Sequence, residues 1–265
     1  MRYLVLMILA VAVPHAALAD EWDEEPDEPY TAETWPTELV RRPLTPAEGM
    51  WEIDALANVN LTKGEIGEPI SLAPGVVYGI TNRLAFGLEH VQGLCLSGVE
   101  SACPYIYNDA AVMLRWSALR QGPWEIALRG GFAAQFEPAF RADAVLRMPA
   151  RWRRGRVALT AEPFVNVGLT DRDANRTLVG VSGRPEVQVT HRLAVYGLVK
   201  LFGVVDDFGA TYLIHSGLGG LVGFGRFDLG GQIVFPALLG PNDAAFAGLG
   251  KLDQREVQLY GSVRF

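Results

Sequence analysis

Between residues 109 and 200, arginines and carboxylates recur at every second or fourth position on segments whose alternate residues are apolar. In AFRADAVLRMPARW, residues 139–152, Arg141, Asp143, Arg147 and Arg151 share one face. Phe140, Ala142, Ala144, Leu146, Met148, Ala150 and Trp152 share the other. Residues 124–135 set Glu125, Arg129 and Gln135 against Trp124, Ile126, Leu128, Gly130, Phe132 and Ala134. Residues 177–190 set Ser182, Arg184, Glu186 and Gln188 against Val179, Val181, Val187 and Val189. Period two is the side-chain repeat of a strand, whereas a helix would scatter these charges around its circumference. Guanidinium and carboxylate groups aligned on one sheet face can steer polar solutes, or they can neutralise one another.

Catalysis asks for more than alignment. A hydrolytic site needs a nucleophile beside a His that an acid or amide orients. His215 and Ser216 are adjacent, so on a strand they point to opposite faces. His191 falls in a short turn, His90 near a strand end, and Asp206-Asp207 has no His in a neighbouring loop to work with. There is no Gly-rich phosphate loop and no cluster with metal-ligand spacing. The sequence therefore assigns no catalytic residue, no metal and no cofactor.

The elements that must carry the charged faces are twelve alternating segments, near 50–60, 71–80, 83–92, 108–117, 123–135, 139–151, 155–169, 177–190, 192–205, 209–223, 226–238 and 255–265. No run of eighteen apolar residues follows Met50, which excludes transmembrane helices there. Segments of about ten residues with this alternation, even in number, are the pattern of a transmembrane up-and-down antiparallel β-barrel. Every second connection is brief (Thr81-Asn82, Ala118–Gly122, Trp152–Arg154, His191, Phe224-Gly225) and those between are mostly longer. That places both termini at the short-turn end. Trp116, Trp124, Trp152, Phe227 and Phe265 then form an outward girdle at that end, and Phe132, Phe140, Tyr212 and Phe235 one at the other.

On this topology the inward charges divide by halves. Segments four to nine carry Arg115, Arg129, Arg141, Arg147, Arg151, Arg156, Arg184 and Lys200 against Asp109, Glu125, Asp143, Glu162 and Glu186, which is 8 − 5 = +3. The remaining segments carry Arg83 and Arg264 against Glu52, Asp54, Glu89, Asp228 and Glu256, which is 2 − 5 = −3. Twelve strands about 4.8 Å apart, tilted about 40°, enclose a backbone radius of roughly 12 Å, so any passage is narrow. The pore-lining candidates are Arg115, Arg129, Arg141, Arg147, Arg184, Lys200, Glu52, Asp54, Glu89, Asp228 and Glu256. Two readings of the lumen stand: a transverse field that steers small solutes, or a salt-bridged interior that closes a structural barrel.

The net charge of −7 from 23 Lys and Arg against 30 Asp and Glu argues against nucleic-acid binding. It is concentrated in residues 20–48, with ten acids and two bases, while residues 49–265 carry twenty of each. That acidic, Pro-rich stretch reads as a disordered tail, with too few aliphatic residues to make a lumen plug. Residues 1–19 read as a signal peptide: Arg2, an apolar Tyr3–Val13 and a small-x-small site at Ala17–Ala19. Export permits a disulfide between Cys95 and Cys103, worth roughly 2–3 kcal/mol by loop entropy. Free thiols or a metal site are the alternatives.

The C-terminal REVQLYGSVRF, with Val257, Leu259, Gly261, Val263 and Phe265 alternating, resembles the terminal strand signal of Gram-negative outer-membrane β-barrel proteins. The resemblance implies that barrel-assembly machinery reads this strand, that periplasmic chaperones escort the chain, and that outer-membrane lipids surround it. RRPLTPAEGMWEIDALANV and VVYGITNRLAFGLEHV, within residues 41–92, are similar to the first hairpins of the MetA-pathway (phenol-degradation) barrels, which resemble FadL-type uptake channels in spirit. That similarity implies uptake of small, often hydrophobic or aromatic solutes. The chain is thus expected to be a monomeric outer-membrane barrel over 49–265 with a periplasmic tail, acting as a narrow passive channel. A closed structural or interaction barrel is the alternative, and an outer-membrane hydrolase the least favoured one.

Overall fold

The structure is a computed structural model that describes residues 29–91, 93–97, 106–136, 140–241 and 252–265. The export segment read at 1–19 and the first part of the tail, 20–28, lie outside the described residues, as does Cys103. Alternation produces strands wherever it was read. They are β1 (Trp51–Asn60), β2 (Ile70–Thr81), β3 (Leu84–Glu89), β4 (Leu94–Ser97), β5 (Asp109–Gln121), β6 (Trp124–Gln135) and β7 (Arg141–Arg147), then β8 (Ala150–Arg154), β9 (Val157–Gly168), β10 (Leu178–Gln188), β11 (Leu193–Val204), β12 (Leu213–Phe224), β13 (Phe227–Leu239) and β14 (Glu256–Arg264).

These form one antiparallel sheet that closes on itself. The last strand, β14, pairs with β1 from Glu52↔Arg264 to Asn60↔Glu256, and β1 pairs with β2. Two of the twelve staves are each made of two strands. β7 and β8 lie in continuous register between β6 and β9, and the break falls at Pro149, which has no N–H to give the ladder. β3 and β4 both pair with β2, but the step from Leu72 to Val76 faces the longer step from Leu88 to Leu94. In that step the Asp109 carboxylate accepts the backbone N–H groups of Val91 and Gly93 at 2.7 and 3.0 Å.

Four stretches differ from the sequence reading, the first being β4 (Leu94–Ser97), which lies beyond the expected end of the third strand at residue 92. β5 runs to Gln121, past a bulge between Ser117 and Leu119, and β8 includes Trp152–Arg154, so both turns are tighter than expected. The chain reverses instead at Gly122 and Gly155, whose positive φ of 50° and 54° suits glycine. Residues 209–211, read as strand, belong to the single helical turn α1 (Phe208–Thr211), and β12 begins after it.

The outer face is apolar along its length, with Ile53, Phe86, Leu114, Leu146, Leu159, Leu218, Leu229 and Leu259 all exposed. Soluble proteins do not leave such a continuous band bare, whereas a membrane-spanning barrel requires it. Trp116, Trp124, Phe227 and Phe265 are exposed at the turn end, joined there by Trp51, which packs on Tyr78 at 4.6 Å between ring centres. Phe132 and Phe140 are exposed at the loop end.

Candidate functional site: the lumen and its floor

The tail does not hang free. Residues 29–48, the described part of the stretch read from composition as disordered, lie against and across the turn end of the barrel and supply its floor. The composition argument failed because it counted aliphatic area, whereas polar contacts hold this segment. Pro36, Pro43 and Pro46 cannot donate to a ladder, and the segment's one short helical turn is Leu39–Arg41. Its polar groups must therefore find partners elsewhere, and inward side chains of the wall supply them.

Arg151 on β8 donates from Nη1 to the Arg42 carbonyl and from Nη2 to the Leu39 carbonyl, both at 2.9 Å. Arg153 donates to the Arg41 carbonyl at 3.0 Å. The N–H groups of Val40 and Leu44 donate to Gln188 on β10 and Glu125 on β6 at 3.4 and 3.1 Å. Arg42 reaches the far wall. Its two Nη atoms meet the Asp228 carboxylate on β13 at 2.6 and 2.8 Å, while Nε donates to the Pro36 carbonyl at 2.9 Å. Asp228 also accepts from Arg264 and Ser262 and is completely buried. Removing Asp228 from this group would leave two buried guanidinium groups uncompensated, at a cost of about 3–5 kcal/mol.

The wall is shaped for this belt. A Cβ at Gly79 would stand 1.8 Å from the Ala47 carbonyl oxygen, and one at Gly223 would stand 2.9 Å from that of Thr37. Val40, Ala47 and Met50 are buried as a result.

Above the belt lies a cavity of 510 Å³. Trp35, Leu39, Pro43, Leu44 and Pro46 make an apolar floor, and the staves supply a polar wall. Glu52, Arg115, Arg129 and Arg184, of the eleven lumen candidates, line this chamber together. Arg147 sits beside it, 3.8 Å from Glu162. Lys200 lies 4.9 and 5.0 Å from the ring centres of Phe164 and Phe202. Arg141 is nearer the loop end, 3.5 Å from Asp171, and Glu256 lines a separate polar recess there with Asn58 and Gln254.

Two candidates do other work than expected. Asp228 is sealed beneath Arg42 and Arg264, so it anchors the belt instead of lining a path. Glu89 does not join an acidic half: it pairs with Arg115 at 2.5 Å and Arg129 at 2.9 Å, inside the basic wall. Glu162 bridges Arg129 and Arg147, and Glu186 joins Arg151 and Arg184. Six cations (Arg115, Arg129, Arg147, Arg151, Arg184, Lys200) thus face three carboxylates (Glu89, Glu162, Glu186), an excess of 6 − 3 = +3. On β1 and β14, Glu52, Asp54 and Glu256 have no cation within 4 Å among the described residues. Pairing thus differs between the two sides: the carboxylates of β3, β9 and β10 are held by arginines, while those of β1 and the start of β14 are not.

Sequence reasoning missed Arg42, Trp35, Leu39 and the neutral wall residues Tyr196, Gln232, Gln258 and Tyr260. One signal could have revealed the belt: glycines at inward positions of strand ends, Gly79 and Gly223, leave room for something. The three described histidines each have a partner in the barrel or its belt. His90 lies between the Pro74 carbonyl and the Tyr107 hydroxyl, His191 on Glu38, and His215 edge-on to Phe202. Cys95 is buried beside Asn108, whose amide donates to its sulfur at 3.0 Å.

No family model matches the chain, and no curated protein matches it. Solved barrels match it over most of its length. The NanC porin has a TM-score of 0.55 at 10% identity, covering 80% of this chain and 98% of its own. The KdgM porin has a TM-score of 0.53 at 8% identity, covering 81% and 99%. An outer-membrane channel from Pseudomonas putida F1 has a TM-score of 0.55 at 11% identity, covering 91% and 100%. At these identities the likeness is one of fold.

Proposed function

We propose that this chain is a passive channel of a Gram-negative outer membrane whose floor is a displaceable belt. The observation that carries the reading is the polar, cation-rich chamber inside a lipid-facing barrel, closed at one end by a segment that is not part of the sheet. In this reading the turn end and both termini face the periplasm, residues 1–19 direct export, and the terminal strand Val257–Phe265 is the assembly signal. Cys95 and Cys103 are paired. The barrel works as a monomer. Small polar solutes enter from the loop end and meet the basic wall of β5–β11 opposite Glu52 and Asp54, a field suited to orienting dipolar or anionic solutes in a narrow passage.

Planar-bilayer recording tests this. Full-length protein should conduct weakly, and protein lacking residues 29–48 should conduct strongly. Absence of current above the lipid background in both forms would overturn the channel reading. It would favour a closed structural barrel, to which the salt-bridged wall and the occupied mouth also conform.

A further inference from the structure

Three side chains connect the chamber to the belt, and their arrangement couples solute to floor. Arg151 spends its Nη atoms on two belt carbonyls, those of Leu39 and Arg42, and on Oε2 of Glu186. The other oxygen of Glu186, Oε1, lies 2.8 Å from Nε of Arg184. Two guanidinium groups therefore converge on one carboxylate, leaving one positive charge in excess. Arg184 stacks at 4.3 Å over the Tyr196 ring, and its Nη atoms have no partner among the described residues. Its side chain is 39% exposed, whereas those of Arg151 and Glu186 are 6% and 3% exposed. Arg151, Glu186, Arg184, Leu39 and Arg42 all border the same cavity.

We infer that Arg151, Glu186 and Arg184 form a solute-sensing latch: a small carboxylate with an apolar body, bound from the chamber between the two guanidinium groups, releases the belt. The inference rests on the channel reading and deepens it. In this inference a carboxylate that binds the open fork of Arg184 also engages Arg151, the two arginines converging on Glu186. There it competes with the neutral carbonyls of Leu39 and Arg42, and a charged acceptor makes hydrogen bonds roughly twice as strong as a neutral one. Tyr196 under Arg184, together with Leu198, Leu221, Leu39 and Leu44 of the chamber lining, gives the apolar body its surface. A neutral solute of the same shape brings no such acceptor and leaves Arg151 on the belt. Solute binding and belt release are then linked, and each must favour the other.

The test uses full-length protein carrying Val40→Cys in liposomes, with a membrane-impermeant maleimide supplied at the turn end. Val40 is 1% exposed while the belt is seated, so its labelling rate reports release. Hexanoate should raise that rate about ten-fold, within the usual range of coupling between sites. Hexanamide should leave it unchanged, and Arg184→Gln should remove the response to hexanoate. An Ala47→Cys reporter, 3% exposed while the belt is seated and outside the chamber lining, repeats the measurement should Val40→Cys fold poorly, as judged by heat-modifiable gel mobility. The latch is overturned if hexanoate leaves labelling unchanged, if hexanamide works equally well, or if Arg184→Gln responds like its parent. Labelling needs no ion current, so these outcomes are separate from the bilayer test of the channel itself.

Discussion

Arg42 and Asp228, 186 residues apart, meet as a two-pronged ion pair at 2.6 and 2.8 Å beneath the lumen. The pair ties a segment outside the sheet to the hairpin of β12 and β13. Because Asp228 also holds Arg264 at the end of the closing strand, the belt is fastened next to the seam where the barrel shuts.

Arg42→Gln separates the belt from the barrel. Asp228 keeps Arg264 and Ser262, so the wall remains satisfied while the belt loses its charged anchor. Hydrogen bonds to charged groups are worth about 1.5–3 kcal/mol, so belt opening should rise roughly 10- to 150-fold. Amide hydrogen exchange at Val40 and Leu44 measures this directly. Asp228→Asn should be worse for the whole barrel, since it leaves two buried guanidinium groups uncompensated.

Gly79→Ala tests the same release without touching a charge. The added methyl would fall 1.8 Å from the Ala47 carbonyl oxygen, and backbone there has to move away. Conductance should rise as it does on deleting the belt, with the folded gel mobility of the barrel retained. Unchanged conductance would show that the belt does not set the current.

Charge selectivity should follow the pairing across the wall, not the count of charges. Glu89→Gln frees Arg115 and Arg129 and should shift the reversal potential in a KCl gradient toward chloride. Arg129→Gln should shift it the other way. A unit charge about 4 Å from the path is worth about 1 kcal/mol in water-like dielectric, or roughly five-fold in the permeability ratio.

The two faces of a strand should tolerate charge differently. Leu218 on β12 is 71% exposed on the outer face, near mid-strand, where Leu218→Arg should cost about 2–4 kcal/mol of folding free energy in lipid vesicles. Gln232 lines the chamber two strand positions from the neighbouring Gly230, and Gln232→Arg should cost far less. Equal costs would contradict the assignment of faces.

Reading faces from sequence worked because alternation is local. Arg129 points inward for the same reason that Leu128 points outward, and neither depends on any distant residue. Strand ends were harder. Turn boundaries near residues 118 and 154 moved because a bulge at Ala118 and a tight turn at Gly155 are decided by a neighbour's register. Glu89 could be placed inside but not paired, since its partners Arg115 and Arg129 lie on other strands 26 and 40 residues away.

The sequence by itself determined a twelve-staved barrel and the inner and outer faces of its strands. Both follow from a two-residue period and from where that period stops. Only the tertiary structure decided which charges cancel, and that residues 29–48 form the floor. Those depend on closure. Once β14 meets β1, side chains far apart in sequence converge on one mouth, and a segment poor in aliphatic residues is held there by hydrogen bonds and a buried ion pair that no composition reveals.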